Sequence, residues 1–244
     1  MRGCVISCLC VTHERHDFMP WVEHLFLKQH GMKSMLGGRA ELVIVDSSAA
    51  PWVSTLPFVR VIHAPACPGI SVKRKLAMHE ALYDYVTWFD DDDWQSPRKC
   101  LMAESEMYDR FFWFSTTGVY ASGDARVCAI GARHAYMFSC ASGLASLYES
   151  GHEPIIFNSG VYRRSSVPQT FDESKITGED TEWQERWLLS RPTYLTVGEP
   201  LHAWLCHDRN ITNKSTSRFF DLPNPIPFDE WEIDFLRDLK KRRL

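Results

Sequence analysis

Four consecutive carboxylates, Asp90-Asp91-Asp92-Asp93, follow the apolar stretch Tyr85-Val86-Thr87-Trp88-Phe89. Two carboxylates about 4 Å apart repel by about 1 kcal/mol in water and about 4 kcal/mol at an effective dielectric near 20. A run of them at the end of a buried strand therefore requires a cation or full solvation. If the chain stays extended, Asp90 and Asp92 point the same way and share one hard cation, Mg2+ or Mn2+. Such an ion bridges readily to a diphosphate. An acidic, solvated turn is the alternative reading.

Three further clusters carry possible chemistry. Gly69-Ile70-Ser71-Val72-Lys73-Arg74-Lys75 puts three cations into the first turn of a helix. The helix dipole is positive there, so each cation is disfavoured by about 0.3–1 kcal/mol unless an anion such as phosphate binds. Three solvated side chains are the other reading. Thr177-Gly178-Glu179-Asp180 has the form of a capping box. A carboxylate held at a helix start stays ionised at neutral pH and can accept a proton from a hydroxyl. Asp180 is the candidate base and Glu179 its competitor. His207-Asp208-Arg209-Asn210 follows the apolar run 201–206 and could complete a metal shell or close over a diphosphate, although a lone histidine is more often structural.

The elements between these clusters say where they meet. Runs 4–12, 41–46, 58–63 and 85–90 are apolar on both faces, as in the central strands of a parallel sheet covered on both sides. Between them, residues 20–30 place Trp21, Leu25 and Phe26 on one helical stripe. Residues 71–83 open on a capping Ser71 and align Val72, Leu76, His79 and Tyr83. Ser96-Pro97 starts a helix to about residue 110. This alternation predicts a doubly wound nucleotide-binding half, whose ligands lie outside the carboxyl ends of the strands. Four strands end in polar groups there: Thr12-His13-Glu14-Arg15, Asp46-Ser47-Ser48, His63 and the acidic run. Beyond residue 111, β-prone pieces at 111–120 and 126–130 alternate with Gly and Ser, as in a mixed sheet. A helix over about 177–189, a proline-rich connector at 222–227 and an amphipathic tail over 231–244 complete the chain. The tail ends in Lys240-Lys241-Arg242-Arg243 and reads as a surface helix, with a membrane-surface or partner contact as the lesser reading.

Length and composition bound the class. The 244 residues, 45% apolar and 24% charged, suit one large α/β domain. A net charge of -4 does not favour nucleic acid as a partner, since such proteins carry a basic surface. Local basic stretches at Arg163-Arg164 and 240–243 keep that reading open. No apolar run nears the roughly 20 residues of a spanning helix, and no signal peptide is evident. The eight cysteines show no CxxC pair and no Cys/His metal spacing. Cys4, Cys8 and Cys10 share strand parity and read as buried thiols of a cytoplasmic protein.

Taken in order, these motifs resemble the inverting GT-A glycosyltransferases of family 2. VISCLCVTHER resembles their opening strand and nucleotide-contacting turn, ELVIVDSS the second strand, and GISVKRKLA the phosphate-side helix. YVTWFDDDDWQSP resembles their metal-binding DxD strand. FNSGVYRR, GEDTEWQERWL and CHDRNITN resemble the acceptor-side strand, the acid/base helix and the closing loop. The match covers about residues 5–213. It implies an α/β GT-A fold over residues 1–221: a Rossmann-like nucleotide-sugar-binding half (1–110) abutting an acceptor-binding half (111–221). The connector and amphipathic helix (222–244) follow. It implies a nucleotide-diphosphate sugar donor, with UDP-sugar favoured, a glycan or other hydroxyl acceptor, and Mn2+ or Mg2+. Thr12, Glu14 and Arg15 would then line the nucleotide pocket. Asp46 would contact the base, Arg74 the nucleotide and Asp91 the ribose. Asp92 would hold the metal, helped by Asp90 and His207, and Asp180 would be the base. The chain departs from the pattern at Val11, where a proline is common, and at Asp46-Ser47-Ser48-Ala49, where Asp-Asp-Gly-Ser is common. Four carboxylates also leave the DxD register open by one residue. Of the rivals, a sugar-phosphate nucleotidyltransferase would need a Gly-rich loop after Val11, which is absent. A glycosyltransferase acting on a modified nucleic-acid base would share every motif. A binding module with a decayed site would have an incomplete carboxylate series.

Overall fold

The first three apolar runs and the one before the acidic cluster fold as neighbouring parallel strands. In the computed structural model these are β1 (Ile6–Thr12), β2 (Ala40–Asp46), β3 (Val59–His63) and β4 (Tyr85–Trp88), ordered β4-β1-β2-β3. The structure describes residues 6–30, 40–67, 69–100, 127–140, 142–149, 155–175, 177–207, 220–222 and 226–241. Register levels the polar strand ends: Thr12 lies beside Asp46, and Asp46 beside His63. β1 and β2 are buried along their whole length, whereas β3, at the sheet edge, is only half covered. That difference follows from position, because an edge strand has one neighbour and less cover.

Strand parity divides the core into two layers. Ile6, Cys8 and Cys10 face helix α1 (Met19–His30) and pack with Phe18, Trp21, Val22, Leu25 and Phe26. Leu9 and Val11 share the other layer with Ala77 and Met78 of helix α2 (Ile70–Glu80) and with Trp183 and Trp187 of helix α3 (Glu179–Leu189). The α1 stripe is as the sequence predicts; each such side chain removed from water contributes about 1.5–3 kcal/mol. The α2 stripe is different. Its buried residues are Ser71, Lys73, Arg74, Ala77 and Met78, while His79 is exposed. Hydrophobicity misjudged this face because an arginine lies at its centre. Ser71 does not cap: Gly69 is the N-cap, and the Ser71 hydroxyl donates to Asp172 O at 2.8 Å.

The large sheet continues through β9 (Val161–Arg163), β6 (Val127–Ala132) and β10 (Thr193–Val197), with β9 antiparallel to β4. A second sheet contains β12 (Phe220–Leu222), β8 (Ala145–Glu149), β7 (His134–Ser139), β11 (His202–Cys206) and β5 (Trp94–Gln95), in that order. The mixed second half is therefore as expected. β5 leaves the acidic run directly and pairs antiparallel with β11, His202 opposite Gln95. This short pairing brings the histidines at both ends of β11 to the carboxylates. A last helix, α4 (Glu230–Lys241), lies on α1. Trp231 and Phe235 stack with Trp21, and Lys28 meets Glu232 at 2.7 Å and Asp229 at 3.2 Å. No helix among the described residues is long and apolar enough to cross a membrane. The predicted helix after Ser96-Pro97 is seen only at Lys99 and Cys100. Its remainder, the piece at 111–120 and Asp208-Arg209-Asn210 lie outside the described residues.

Candidate active site

The acidic run does not stay extended. β4 ends at Trp88, and the Asp93 amide donates to Asp90 O at 3.3 Å, so the four carboxylates radiate from a turn. Asp90 and Asp92 therefore take different partners, and strand parity does not apply. Asp91 accepts a hydrogen bond from the Thr12 hydroxyl at 2.7 Å and pairs with Arg15 Nη1 at 2.9 Å. Asp92 takes Arg15 Nη2 at 2.6 Å and lies 3.1 Å from His207 Nε2, both on Oδ2. Asp93 turns inward to His202 Nε2 at 2.7 Å. Asp90, half-exposed, receives Asn158 Nδ2 at 2.7 Å and Arg74 Nη2 at 3.2 Å.

Burial and mutual repulsion set the charges. Burial, then the neighbouring Asp92 charge, pushes the Asp91 carboxyl up to about 7, against Arg15. Burial acts on Asp92 too, but the His207 hydrogen bond and the Arg15 guanidinium outweigh it and hold that carboxyl well below the usual range. The pair thus divides its roles: one carboxylate is firmly ionised and its neighbour bears the strain of two charges in one buried place.

β1 and β2 supply the rest of the polar cluster at the strand ends. Glu14 adopts a left-handed φ of 50°, which turns the chain sharply off β1. Its amide donates to Ser48 Oγ at 2.7 Å, and its carboxylate accepts the Ala49 amide at 2.7 Å. Asp46 is buried and internally satisfied. It accepts from the Ser48 and Trp52 amides at 2.8 and 2.7 Å and meets His16 Nε2 at 2.7 Å. It shapes the β2–β3 loop, and the exposed edge there is Glu14 and Ala49.

The cationic cluster is partly inward. Lys73 donates to Thr12 O at 3.0 Å, and Lys75 pairs on the surface with Glu173. Arg74 is enclosed, its guanidinium 5.3 Å from the Trp88 ring and 4.9 Å from the Phe157 ring. Beside Asp90, its second partner is Glu179 Oε1 at 2.9 Å. Arg74 thus ties the acidic turn to the start of α3. The capping box at that start is not formed: Gly178, at φ 74°, is the N-cap, and no side chain caps it. Glycine suits this position because a left-handed φ costs it nothing. Asp180 is half-exposed and accepts the Thr181 amide at 2.8 Å. Glu179 is buried, and burial raises its carboxyl pKa despite Arg74. Of the two acids, only Asp180 is open to solvent.

Three residues of this centre escape sequence reasoning. Lys99 is fully buried and donates to Trp88 O at 3.0 Å and Gln95 Oε1 at 2.9 Å, bracketing the acidic turn from beneath. Asn158 sits in a 3-10 turn, Phe157–Ser159, and bridges Asp90 and Asp93. His202 opens β11. Asn158 lies in FNSGVYRR and was within reach; nothing local marks Lys99 or His202. By contrast Arg163 and Arg164 line a cleft of about 640 Å³ with Asp84 and Tyr85. That cleft is at the amino end of β4, the far end of the strand from the carboxylates.

The donor set fits a divalent ion. Asp92 offers a hard, ionised oxygen and His207 an imidazole nitrogen 3.1 Å away, a pair that Mn2+ accepts readily. Among the described residues the close trio of potential ligands is His24, Asp229 and Glu232, and its two carboxylates already hold the Lys28 ammonium.

No family model matches the sequence, and no curated protein matches it. Solved structures do. S. aureus TarS 1-349 in complex with UDP is 12% identical with a TM-score of 0.56, over 83% of this chain and 60% of that one. The same protein in complex with UDP-GlcNAc is 11% identical with a TM-score of 0.54, over 84% and 60%. The mannosyltransferase PcManGT from Pyrobaculum calidifontis, in complex with GDP-Man and Mn2+, is 11% identical with a TM-score of 0.53, over 86% and 59%. The chain spans about 60% of the length of these proteins. It has the GT-A glycosyltransferase fold.

Proposed function

We propose that this chain transfers a sugar from a nucleoside-diphosphate sugar to an acceptor hydroxyl, with inversion at the anomeric carbon. One observation carries the reading: Thr12 at the end of β1 meets Arg15, Asp91, Asp92 and His207, which come from the segments that follow β1, β4 and β11. Asp92 and His207 would hold Mn2+ or Mg2+. Bound there, the ion would neutralise charge on the departing diphosphate. Thr12, Glu14, Arg15 and Asp91 line the donor side, while Asp46 supports the base-side loop from within.

Asp180 is the base in this scheme. Its half-exposed carboxylate takes the proton of the acceptor hydroxyl. The oxygen then bonds to the anomeric carbon from the face opposite the diphosphate, and the carbon–oxygen bond to the phosphate breaks. Arg74 and Glu179 keep the start of α3, which carries Asp180, tied to the acidic turn, so one tie would hold base and ion together. Glu179 is a poor alternative base, because it is buried against Arg74. A nucleotide-sugar donor agrees with the UDP, UDP-GlcNAc and GDP-Man complexes of the structural neighbours.

The test is a donor screen. The protein is incubated with Mn2+ and a panel of UDP-, GDP- and other nucleotide sugars, and release of nucleoside diphosphate is measured without acceptor. Slow hydrolysis of one donor is expected. Asp180→Asn should bind that donor and lose about 10²–10⁴-fold in rate. No binding of any nucleotide sugar, with or without Mn2+, refutes the proposal.

A further inference from the structure

Arg15 stands where a cation belongs. Its two Nη atoms fork across Asp91 and Asp92 at 2.9 and 2.6 Å, and it uses the same Asp92 oxygen that faces His207. Phe18, fully buried, fixes this arrangement: the Arg15 Cζ lies 4.7 Å from the centre of its ring, and the ring stacks on His207 at 5.2 Å. Arg15 Nε is buried and makes no hydrogen bond, so one strong donor remains unused beside the carboxylates. A guanidinium is always charged. Asp92 Oδ2 cannot keep it at 2.6 Å and also coordinate a divalent ion without bringing two cations into contact.

We propose that Arg15 is the resident counter-cation of the Asp91–Asp92 pair, and that a nucleoside diphosphate draws it off, so that divalent ion and diphosphate enter together. This inference rests on the donor-and-metal reading above. A diphosphate offers the fork two oxygens in bidentate geometry and gives Nε a partner. The move takes the guanidinium off Asp92 Oδ2, the oxygen that His207 Nε2 faces. Linkage makes the coupling reciprocal: the factor by which diphosphate tightens the ion is the factor by which the ion tightens diphosphate.

The test uses the full chain, with UDP and GDP as probes and Mn2+ followed by titration calorimetry and electron paramagnetic resonance. Asp92→Asn corrects for ion held by nucleotide alone. Wild type should bind Mn2+ at least tenfold more tightly when nucleotide is present. Arg15→Met should bind Mn2+ alone at least tenfold more tightly than wild type does, with the coupling to nucleotide falling towards one. Arg15→Lys keeps the charge and should follow wild type without nucleotide. If Arg15→Met does not fold, the wild-type coupling decides. Equal Mn2+ affinity of wild type with and without a nucleotide that binds overturns the inference, as does a folded Arg15→Met with no gain. Failure of the wider reading looks different, since then neither nucleotide binds at all.

Discussion

Removing the Arg74 guanidinium should unfold this chain more readily rather than merely weaken a ligand contact. The side chain is 3% exposed and lies between Asp90 and Glu179, itself 5% exposed. In Arg74→Met, Asp90 keeps its hydrogen bond from Asn158, but Glu179 is left buried without its cation. Breaking a buried pair from one side costs about 3–5 kcal/mol. For a chain of this size each kcal/mol lowers Tm by about 2–4 °C, so a fall of roughly 6–20 °C is expected in thermal denaturation. Lys75→Met removes only the surface pair with Glu173, worth about 0–1 kcal/mol, and serves as control. The double variant Arg74→Met/Glu179→Leu should recover much of the loss, because apolar residues tolerate the site once neither charge is present. If Arg74→Met melts near wild type yet binds nucleoside diphosphate poorly, Arg74 is a ligand contact and the tie argued here is wrong.

Two further outcomes follow from local geometry. A Cβ at Gly160 would collide with the ring of Tyr162, so Gly160→Ala should cost about 1–3 kcal/mol, seen as a lower urea midpoint at unchanged slope. Asp46 is pushed up by burial but held below 3.8 overall by Ser48, Trp52 and His16. A carboxyl lowered in the fold contributes stability above its unfolded value and loses it as pH falls through the folded one. The stability gap between wild type and Asp46→Asn should therefore narrow in urea titrations taken below about pH 4.

Much of the large sheet was legible because its strands are covered on both faces and so write continuous apolar runs. The strand ends followed from those runs, and with them Thr12, Arg15 and the acidic cluster. What periodicity could not reach was the turn. Parity predicts Asp90 beside Asp92 only while the chain is extended, and the chain bends one residue after Phe89. Charge was also a poor guide to exposure: Arg74 reads as a surface cation and lies in the core, because two acids from distant segments neutralise it. Ser71 and Thr177 look like N-caps, yet Gly69 and Gly178, one or two residues away, hold the N-cap positions of the two helices, and the hydroxyl of Ser71 serves another loop. His207 was marked by its polar tetrad and by resemblance, but its approach to Asp92 was not legible, since it depends on the two-residue pairing of β5 with β11.

Lys99 offers the sharpest check on how the acidic turn is supported. It was invisible in the sequence, being one more lysine after Ser96-Pro97, and it is fully buried. Burial lowers its pKa from 10.5 to about 8, partly opposed by the Cys100, Cys8, Asp90 and Asp93 charges. The sign then runs opposite to that of a surface ion pair. Below about pH 8 both states carry the proton, and the fold bears the full cost of an ammonium in its core. Between about 8 and 10.5 the unfolded chain binds more protons than the native one, so stability rises with pH. The difference between 10.5 and about 8 corresponds to roughly 3 kcal/mol. Lys99→Met lacks this titration but shares the cysteine and tyrosine titrations of wild type. Unfolding free energies measured across pH 7.5–10.5 in urea should therefore show wild type gaining about 3 kcal/mol on the variant. A flat difference would mean that the oxygens of Trp88, Gln95 and Asn158 match the ammonium well enough to keep its proton. Lys99 would then be a permanent positive charge beneath the four carboxylates, and their mutual repulsion would be smaller than burial alone implies.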